Sequence, residues 1–342
     1  MMVELSFHQV LKQVASGAKL SREQAERAFL IIMNGGATPA QIAGFLMAIK
    51  MRGETVDEIT GGAAVLRVKA PKFNAPTGTM DTCGTGGDAK GSYNISTASA
   101  FVLGACGVPV AKHGNRSVSS KSGSADVLTA LGVKIDASIP LLERCLREVG
   151  MCFLMAPQFH PAMRHVAPVR QELGVRTIFN ILGPLANPAH PELQLLGVYE
   201  KSLLAPMVEV LKQLGVKRAW VVHGSDGMDE ITITGKTHVA ALNNGEITTF
   251  EVSPEDAGLE CHSSEALKGG DAGTNAQALR EVLLGSKSAY RDAVLINTAA
   301  ALIIAEKATN LREGVTMATE AIDSGKAYKL LQTLIDASHA RE

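Results

Sequence analysis

The residues from Asp81 to Gly123, DTCGTGGDAKGSYNISTASAFVLGACGVPVAKHGNRSVSSKSG, hold two turns rich in Gly and Ser, Gly84 to Thr97 and Lys112 to Gly123. Turns of this composition expose backbone N–H groups and hydroxyls without side-chain bulk, which is the chemistry of an anion cradle. In the first turn, Asn94-Ile95-Ser96-Thr97 lead into a helix expected from about Ser99. Their N–H groups, with the hydroxyls of Ser96 and Thr97, would meet a phosphate at the positive end of the helix dipole. Capping of that helix by Ser96 or Thr97 is the simpler use of the same residues, and the two uses are compatible. In the second turn, Lys112-His113-Gly114-Asn115-Arg116 places cations and an amide at the carboxyl end of a strand, where ligands collect in open α/β sheets. Two cradles on one sheet edge point to one ligand with two phosphate-bearing ends.

Two further groups carry possible chemistry. Asp229-Glu230 follow the apolar run RAWVVHG and the Gly227 turn. Taken alone they read as a solvated turn, but beside two phosphate sites they suit Mg2+, which favours one or two acids, waters and phosphate oxygens. Arg170, in HPAMRHVAPVRQELG, has the fork to pair with a carboxylate ligand, although spacing alone makes it an ordinary exposed helical arginine. Two nucleotide motifs are imitated and fail. Gly84, Gly86 and Ala89 fit GxGxxG/A, yet the turn runs on through Gly91 and Asn94, and the next strand ends in Lys112-His113 instead of an acid. Gly235-Lys236-Thr237 resembles the end of a P-loop, but Glu230 stands at the first glycine position and a strand follows.

These residues need a scaffold, and composition bounds it. The 342 residues are 46% hydrophobic, enough for a large core in two domains or one large α/β unit. A formal charge of -1 argues against a nucleic-acid partner, so selectivity for phosphate must be local. The five cysteines (Cys83, Cys106, Cys145, Cys152, Cys261) form no CxxC pair; neither a disulfide framework nor a structural zinc site is expected, and a reducing cytoplasm fits. The start MMVELSFHQV has no basic-then-apolar run, so no signal peptide is expected. Residues 91–111 lack charge, but Asn94, Pro109 and three glycines favour a buried helix and strand over a membrane span.

Residues 1–72 read as helical. Capping boxes at Ser21/Gln24, Thr38/Gln41 with Pro39 next, and Thr55/Glu58 mark helix starts. Ile42, Phe45, Leu46 and Ile49 form an apolar stripe; the surplus of such surface, Phe45 and Met47 included, reads as core or as a dimer face. From about Ala75, strand and helix alternate: VPVAKHG, MCFLMAP, QLLGVY and RAWVVHG as strands, and Ser124–Leu131 and KSLLAPMVEVLKQLG as helices. This predicts a largely parallel sheet covered on both faces, with a late antiparallel hairpin at Asn244-Gly245 and a helical C-terminal region. The stretch His160 to Pro191 is long for a crossover and is expected to leave the sheet and pack on the N-terminal helices. The domains expected are a small helical one, 1–72, joined by inserted helices of about 162–190, and a large α/β one, 73–161 with 191–342.

GTGGD at 84–88, NIST at 94–97, KHGNR at 112–116, SGSADVLTALG at 122–132, VRQELGVRTIFNILGPLANP at 169–188 and DGMDE at 226–230 together resemble the anthranilate phosphoribosyltransferases, in family order and over nearly the whole chain. The usual phosphoribosyltransferase signature, a strand ending in two acids and a TxTG loop, is absent, as this separate family implies. The resemblance implies a nucleoside phosphorylase-like α/β fold and transfer of the 5-phosphoribosyl group from phosphoribosyl pyrophosphate to the amine of anthranilate, in L-tryptophan biosynthesis. It implies that Gly84, Gly87, Asp88, Ser92, Asn94, Ile95, Ser96, Thr97, Lys112, Asn115, Ser119 and Ser124 meet phosphoribosyl pyrophosphate. Gly84, His113, Asn115, His160 and Arg170 would serve anthranilate, and Ser96, Asp229 and Glu230 would serve Mg2+. No catalytic base is assigned; His113 is the candidate, with an orienting role as the alternative. A cytoplasmic homodimer joined through the helical domains is implied. Two other activities remain open at this point. A pyrimidine nucleoside phosphorylase is disfavoured by CGTGGD in place of a KHSTGG-like turn, and a non-catalytic nucleic-acid-binding relative by the acidic pair and the near-zero charge.

Overall fold

The computed structural model describes residues 6–117 and 121–341. It opens with four helices, α1 (Phe7–Ala15), α2 (Arg22–Met33), α3 (Pro39–Arg52) and α4 (Val56–Lys69). Each begins with a reciprocal capping box in which the cap hydroxyl accepts an N–H from the first turn while a Gln or Glu reaches back. Three are those read from sequence; the fourth, Ser6 with Gln9, starts α1. Glu58 is fully buried, accepting the Leu20 N–H at 3.1 Å and pairing with Arg52, so one cap residue also ties α4 to α3 and to the link between α1 and α2. Phe45 is wholly buried between Phe7 and Phe29, ring centroids 5.7 and 5.8 Å away, so this part of the stripe is core.

The chain then alternates: β1 (Met80–Asp81), α5 (Ile95–Ala105), β2 (Val110–Gly114), α6 (Ser124–Leu131), α7 (Ile139–Glu148) and β3 (Met151–Met155). After β3 comes α8 (Ala156–Phe159), and the inserted stretch then holds α9 (Ala167–Leu173) and α10 (Phe179–Leu182), with short 3-10 turns. It packs on the N-terminal helices: the Phe179 ring meets Phe29 edge-on at 5.7 Å, and the buried Arg67 of α4 donates to the Leu185 carbonyl at 2.7 Å. After it come β4 (Leu193–Gly197), α11 (Leu204–Gln213), β5 (Arg218–Gly224), β6 (Thr237–Asn243) and β7 (Glu246–Val252), and then α12 (Ala272–Leu283), α13 (Ala289–Ile304), α14 (Leu311–Asp323) and α15 (Lys326–Ser338).

One seven-stranded sheet runs β3-β2-β1-β4-β5-β6-β7, parallel through β5 and antiparallel for the last two pairs. The β6–β7 turn has Asn244 and Gly245 both at positive φ, +48° and +92°, as a two-residue hairpin with right-handed twist requires. Alternation along β5 divides the apolar interior. Trp220 and Val222 join the core built with α5, α7 and α13, while Ala219 and Val221 join a second core made with α11 and the N-terminal helices. The helical core therefore continues onto one face of the sheet through α11. The strand order reverses at β1, which lies between β2 and β4; in open parallel sheets ligands bind at such a switch point, beyond the carboxyl ends of the strands.

Candidate active site at the switch point

The loop after β1 is held from below by the acidic pair. Gly84 sits so close that a Cβ there would come within 2.8 Å of the Asp229 carboxylate, and one on Gly197 would overlap the Asp229 carbonyl at 1.6 Å. The Gly86 N–H donates to Asp229 Oδ2 at 2.6 Å, and the Thr85 N–H to the Gly197 carbonyl at 2.8 Å. Gly86, Gly87, Ala89 and Gly91 all take positive φ, at some cost for the alanine. Asp88 accepts the Lys90 N–H at 3.0 Å, and Ser92 bridges to Lys268, which anchors the far end of the loop. Among the described residues, the Gly87 and Asp88 N–H groups have no protein acceptor, leaving two donors side by side.

The helix expected from about Ser99 begins four residues earlier. α5 starts at Ile95, so Ile95, Ser96 and Thr97 are its first turn. Neither Ser96 nor Thr97 caps it: Asn94 occupies the cap position without a side-chain capping bond. Ile95 and Thr97 are buried, so their backbone, not the Ile95 side chain, can face a ligand. The Ser96 N–H donates to Glu230 Oε1 at 3.2 Å, which places the second acid at the positive end of the α5 dipole.

Lys112, near the end of β2, is 2% exposed yet ends among neutral oxygens: Thr82 O at 3.3 Å, Thr82 Oγ1 at 3.4 Å and Ser96 Oγ at 3.3 Å. A buried ammonium without a directly paired carboxylate favours a nearby anion. Asp229 and Glu230 present the converse. Burial, then the neighbouring Asp88, pushes Asp229 up to about 7; burial, then Asp229, pushes Glu230 up to about 8. Two acids held side by side with their ionisation disfavoured would be relieved by a cation between them. No cluster of three or more His, Cys, Asp or Glu among the described residues could hold a metal by itself, so any ion here would draw on ligand oxygens as Mg2+ does.

His113 and His160 meet edge to face, centroids 5.3 Å apart. Burial, then the neighbouring ring, pushes His113 down to about 3, and burial pushes His160 down to about 4, so both are neutral near pH 7. His113 Nδ1 lies 3.1 Å from the Gly183 carbonyl, which assigns the proton to Nδ1 and leaves the buried Nε2 as an acceptor. Arg170 is half-buried on α9 with its guanidinium 5.7 Å over the Phe179 ring, and burial lowers its pKa; the simple exposed helical arginine is ruled out. Asn115 is exposed. Its carbonyl accepts the Ser124 hydroxyl at 3.4 Å and its Oδ1 the Arg116 N–H at 2.8 Å. Ser119 lies outside the described residues.

Several site residues give no signal at the level of motif spacing. Asp126 accepts N–H groups of Ser117 and Gly123, each at 3.0 Å, and Arg116 at 3.0 Å, folding the second loop onto the start of α6; the spacing Gly123-x-x-Asp126 is the only local trace of it. Asp81, fully buried and raised to about 6 by burial, takes the His113 N–H at 3.2 Å and the Asn187 amide at 2.8 Å. Arg176 donates to the Gly87 carbonyl and stacks over Tyr199 at 4.2 Å. Asn297 grips Ile231 by both its N–H and its carbonyl, fixing the acidic turn. Asn275 and Tyr290 reach Asn94.

A helical bundle set against an α/β domain with its cleft at the switch point describes a two-part glycosyl transferase. Two family models match accordingly, "Glycosyl transferase family, helical bundle domain" over residues 8–70 and "Glycosyl transferase family, a/b domain" over residues 76–328. The anthranilate phosphoribosyltransferase of Azospirillum brasilense is 57% identical over 331 residues, 97% of this chain and 93% of that one. The crystal structure of anthranilate phosphoribosyltransferase from Thermus thermophilus superposes with a TM-score of 0.92 at 43% identity, covering 96% and 99% of the two chains. The enzyme from Saccharomyces cerevisiae in complex with PRPP and Mg superposes with a TM-score of 0.89 at 29% identity, covering 97% of each. The chain belongs to the anthranilate phosphoribosyltransferase family.

Proposed function

We propose that the site transfers the 5-phosphoribosyl group from phosphoribosyl pyrophosphate to the amine of anthranilate, releasing pyrophosphate, as a step of L-tryptophan biosynthesis. The observation that carries this reading is the convergence of both ends of the first glycine-and-serine loop on one acidic pair, Gly86 on Asp229 and Ser96 on Glu230, with the Lys112 ammonium at the start of the second loop on Ser96. Gly84, Gly87, Asp88, Ser92, Asn94, Ile95, Ser96, Thr97, Lys112, Asn115 and Ser124 form the donor site. The unpaired N–H groups of Gly87 and Asp88 and the buried Lys112 supply charge complementarity to a pyrophosphate.

Ser96, Asp229 and Glu230 would hold Mg2+, whose charge, when bound, offsets that of the departing pyrophosphate. Gly84, His113, Asn115, His160 and Arg170 would receive anthranilate, with the Arg170 fork on its carboxylate. The aromatic amine is already neutral at pH 7, so the nucleophile needs no strong base. His113 Nε2, neutral and unprotonated, is an acceptor that would orient the amine and could take its proton after bond formation. Catalysis then rests on positioning in a cleft between a helical domain, 1–72 with the insertion 162–190, and an α/β domain, 73–161 with 191–342.

A cytoplasmic homodimer joined through the helical domains completes the reading; no helix of the described residues is long and apolar enough to cross a membrane. The test is the loss of anthranilate fluorescence on mixing with phosphoribosyl pyrophosphate and Mg2+. Turnover that stops with a chelator and returns with excess Mg2+ is expected; turnover indifferent to the chelator would remove the metal from the reading, and none under any condition would remove the activity.

A further inference from the structure

The orientation of a side-chain amide is fixed by whichever partner has no choice of role, and one such chain ends in the donor site. The Gly270 N–H can only donate, and it donates to Asn275 Oδ1 at 2.7 Å. Asn275 is 2% exposed at the start of α12, so its Nδ2 is left facing Asn94, where it donates to Oδ1 at 2.9 Å. The Asn94 amide is thereby turned with its Nδ2 outward. Among the described residues it finds there only the Ser122 carbonyl, 3.4 Å away and at the limit of a hydrogen bond, at the end of the second anion loop. The backbone of Asn94 is set from the same side: Tyr290 Oη donates to its carbonyl at 3.1 Å, and the Tyr290 ring stacks on Tyr93 at 4.5 Å.

We infer that Asn275 is a positioning residue for the transfer reaction: through a relay from the Gly270 N–H it holds Asn94 with its NH2, and not its carbonyl, presented to the phosphoribosyl pyrophosphate cleft. The inference rests on the reading of Asn94 as a contact for that substrate. Without the relay the amide is free to turn, and a wrongly turned Asn94 sets an oxygen against a polyanion. Asn275→Asp is close in shape and still accepts from Gly270, but cannot donate to Asn94. It would turn the Asn94 amide, and it also adds a negative charge, whose effect does not depend on Asn94.

A double-mutant cycle separates this role from a general loss of structure or added charge. KM for phosphoribosyl pyrophosphate and for anthranilate, with kcat, is measured for Asn94→Ala, Asn275→Asp and the pair, alongside thermal melts. We expect Asn94→Ala and Asn275→Asp each to raise the phosphoribosyl pyrophosphate KM by about tenfold, the scale of one lost hydrogen bond to a charged group. The anthranilate KM should change little, and Asn275→Asp in the Asn94→Ala background should add less than about twofold. An Asn275→Asp effect that persists undiminished in that background comes from charge or distortion and overturns the inference, as does no effect in the wild-type background. If Asn275→Asp does not fold, Asn275→Ala in the same cycle, expected to raise that KM by about threefold, decides by the same criterion. An active Asn94→Ala enzyme with unchanged KM would instead sink the placement of Asn94 in the substrate site.

Discussion

At the scale of single residues, the two histidines make the most exposed test of the site's electrostatics. His113 and His160 are 3% and 7% exposed, and both hold their protons less readily than the ordinary 6.5, at about 3 and about 4. Burial is the largest cause for both: on His113 the His160 ring and Lys112 add to it and the Gly183 carbonyl opposes it, and on His160 the Ala186 backbone opposes it. As pH falls, the unfolded chain therefore binds protons first. The stability these rings contribute is complete above about pH 6.5 and is lost as pH falls toward 4 and then 3. Asp81 works with the opposite sign: raised to about 6, it costs stability as pH rises through that region, but it is common to wild type and variant. Urea unfolding between pH 4.5 and 6.5 should show a wild-type stability slope steeper than that of His160→Gln by up to ~1.4 kcal/mol per pH unit. Parallel slopes would mean that His160 is solvated or charged in the folded protein. The rings' neighbourhood is not readable from KHGNR and FHPAM, because the partner that assigns the His113 tautomer, Gly183, lies 70 residues away.

At the scale of elements, local signals write the helix starts and distant ones write the loops. Capping boxes closing over three residues announce α2, α3 and α4, and Asn-Gly announces the β6–β7 turn, because those contacts close within the segment. The start of α5 is misplaced by the same reading because its first turn is stabilised from outside, by Glu230 at Ser96 and Tyr290 at Asn94, and carries no capping side chain of its own. Arg176 shows the same limit. From the link between α9 and α10 it crosses to the Gly87 carbonyl, 89 residues away in sequence, while its guanidinium lies on Tyr199, whose N–H donates to Thr85 at 3.1 Å. The glycine loop is thus stapled to the same inserted stretch that carries Arg170. Removing the staple with Arg176→Ala should free the loop at a cost of roughly 2 kcal/mol locally, one hydrogen bond and one cation–π contact. Hydrogen exchange at residues 84–91 should then quicken at least tenfold and the phosphoribosyl pyrophosphate KM should rise, with Arg176→Lys restoring little because a lysine has no planar face for the tyrosine. Unchanged exchange would show that the loop is held by Gly86 on Asp229 and Thr85 on Gly197 alone.

At the scale of the whole molecule, alternation of strand and helix announces a largely parallel sheet with ligands at the carboxyl ends of its strands, which is why the general place of the site is legible in the sequence, while the strand order that sets the switch point at β1, and the partners of the site, are not. What the apolar helix surface is for depends on which residues are left outside after folding. Phe45 goes to the core, Met47 is half-buried, and the side chains that remain in solvent are Met51 near the end of α3, 79% exposed, and Val68 near the end of α4, 81% exposed. Both lie on the helical unit, and neither has a packing role within the chain that accounts for an apolar residue there. A second copy of the chain seated on this unit would cover them, as the proposed homodimer requires, and would leave the switch-point cleft of each copy open. Sedimentation velocity should therefore give twice the chain mass, with Met51→Lys and Val68→Lys together shifting the protein toward half that value. Each lysine would place a charge where apolar surface has to be excluded from water, at a cost of a few kcal/mol to association. The doubly substituted chain should keep its melting temperature within a few degrees at high concentration and still consume anthranilate, since both side chains are exposed and neither is among the residues assigned to the site. A wild-type chain that sediments at its monomer mass, or a dimer indifferent to both lysines, would assign that surface to some other contact and leave the cleft chemistry untouched.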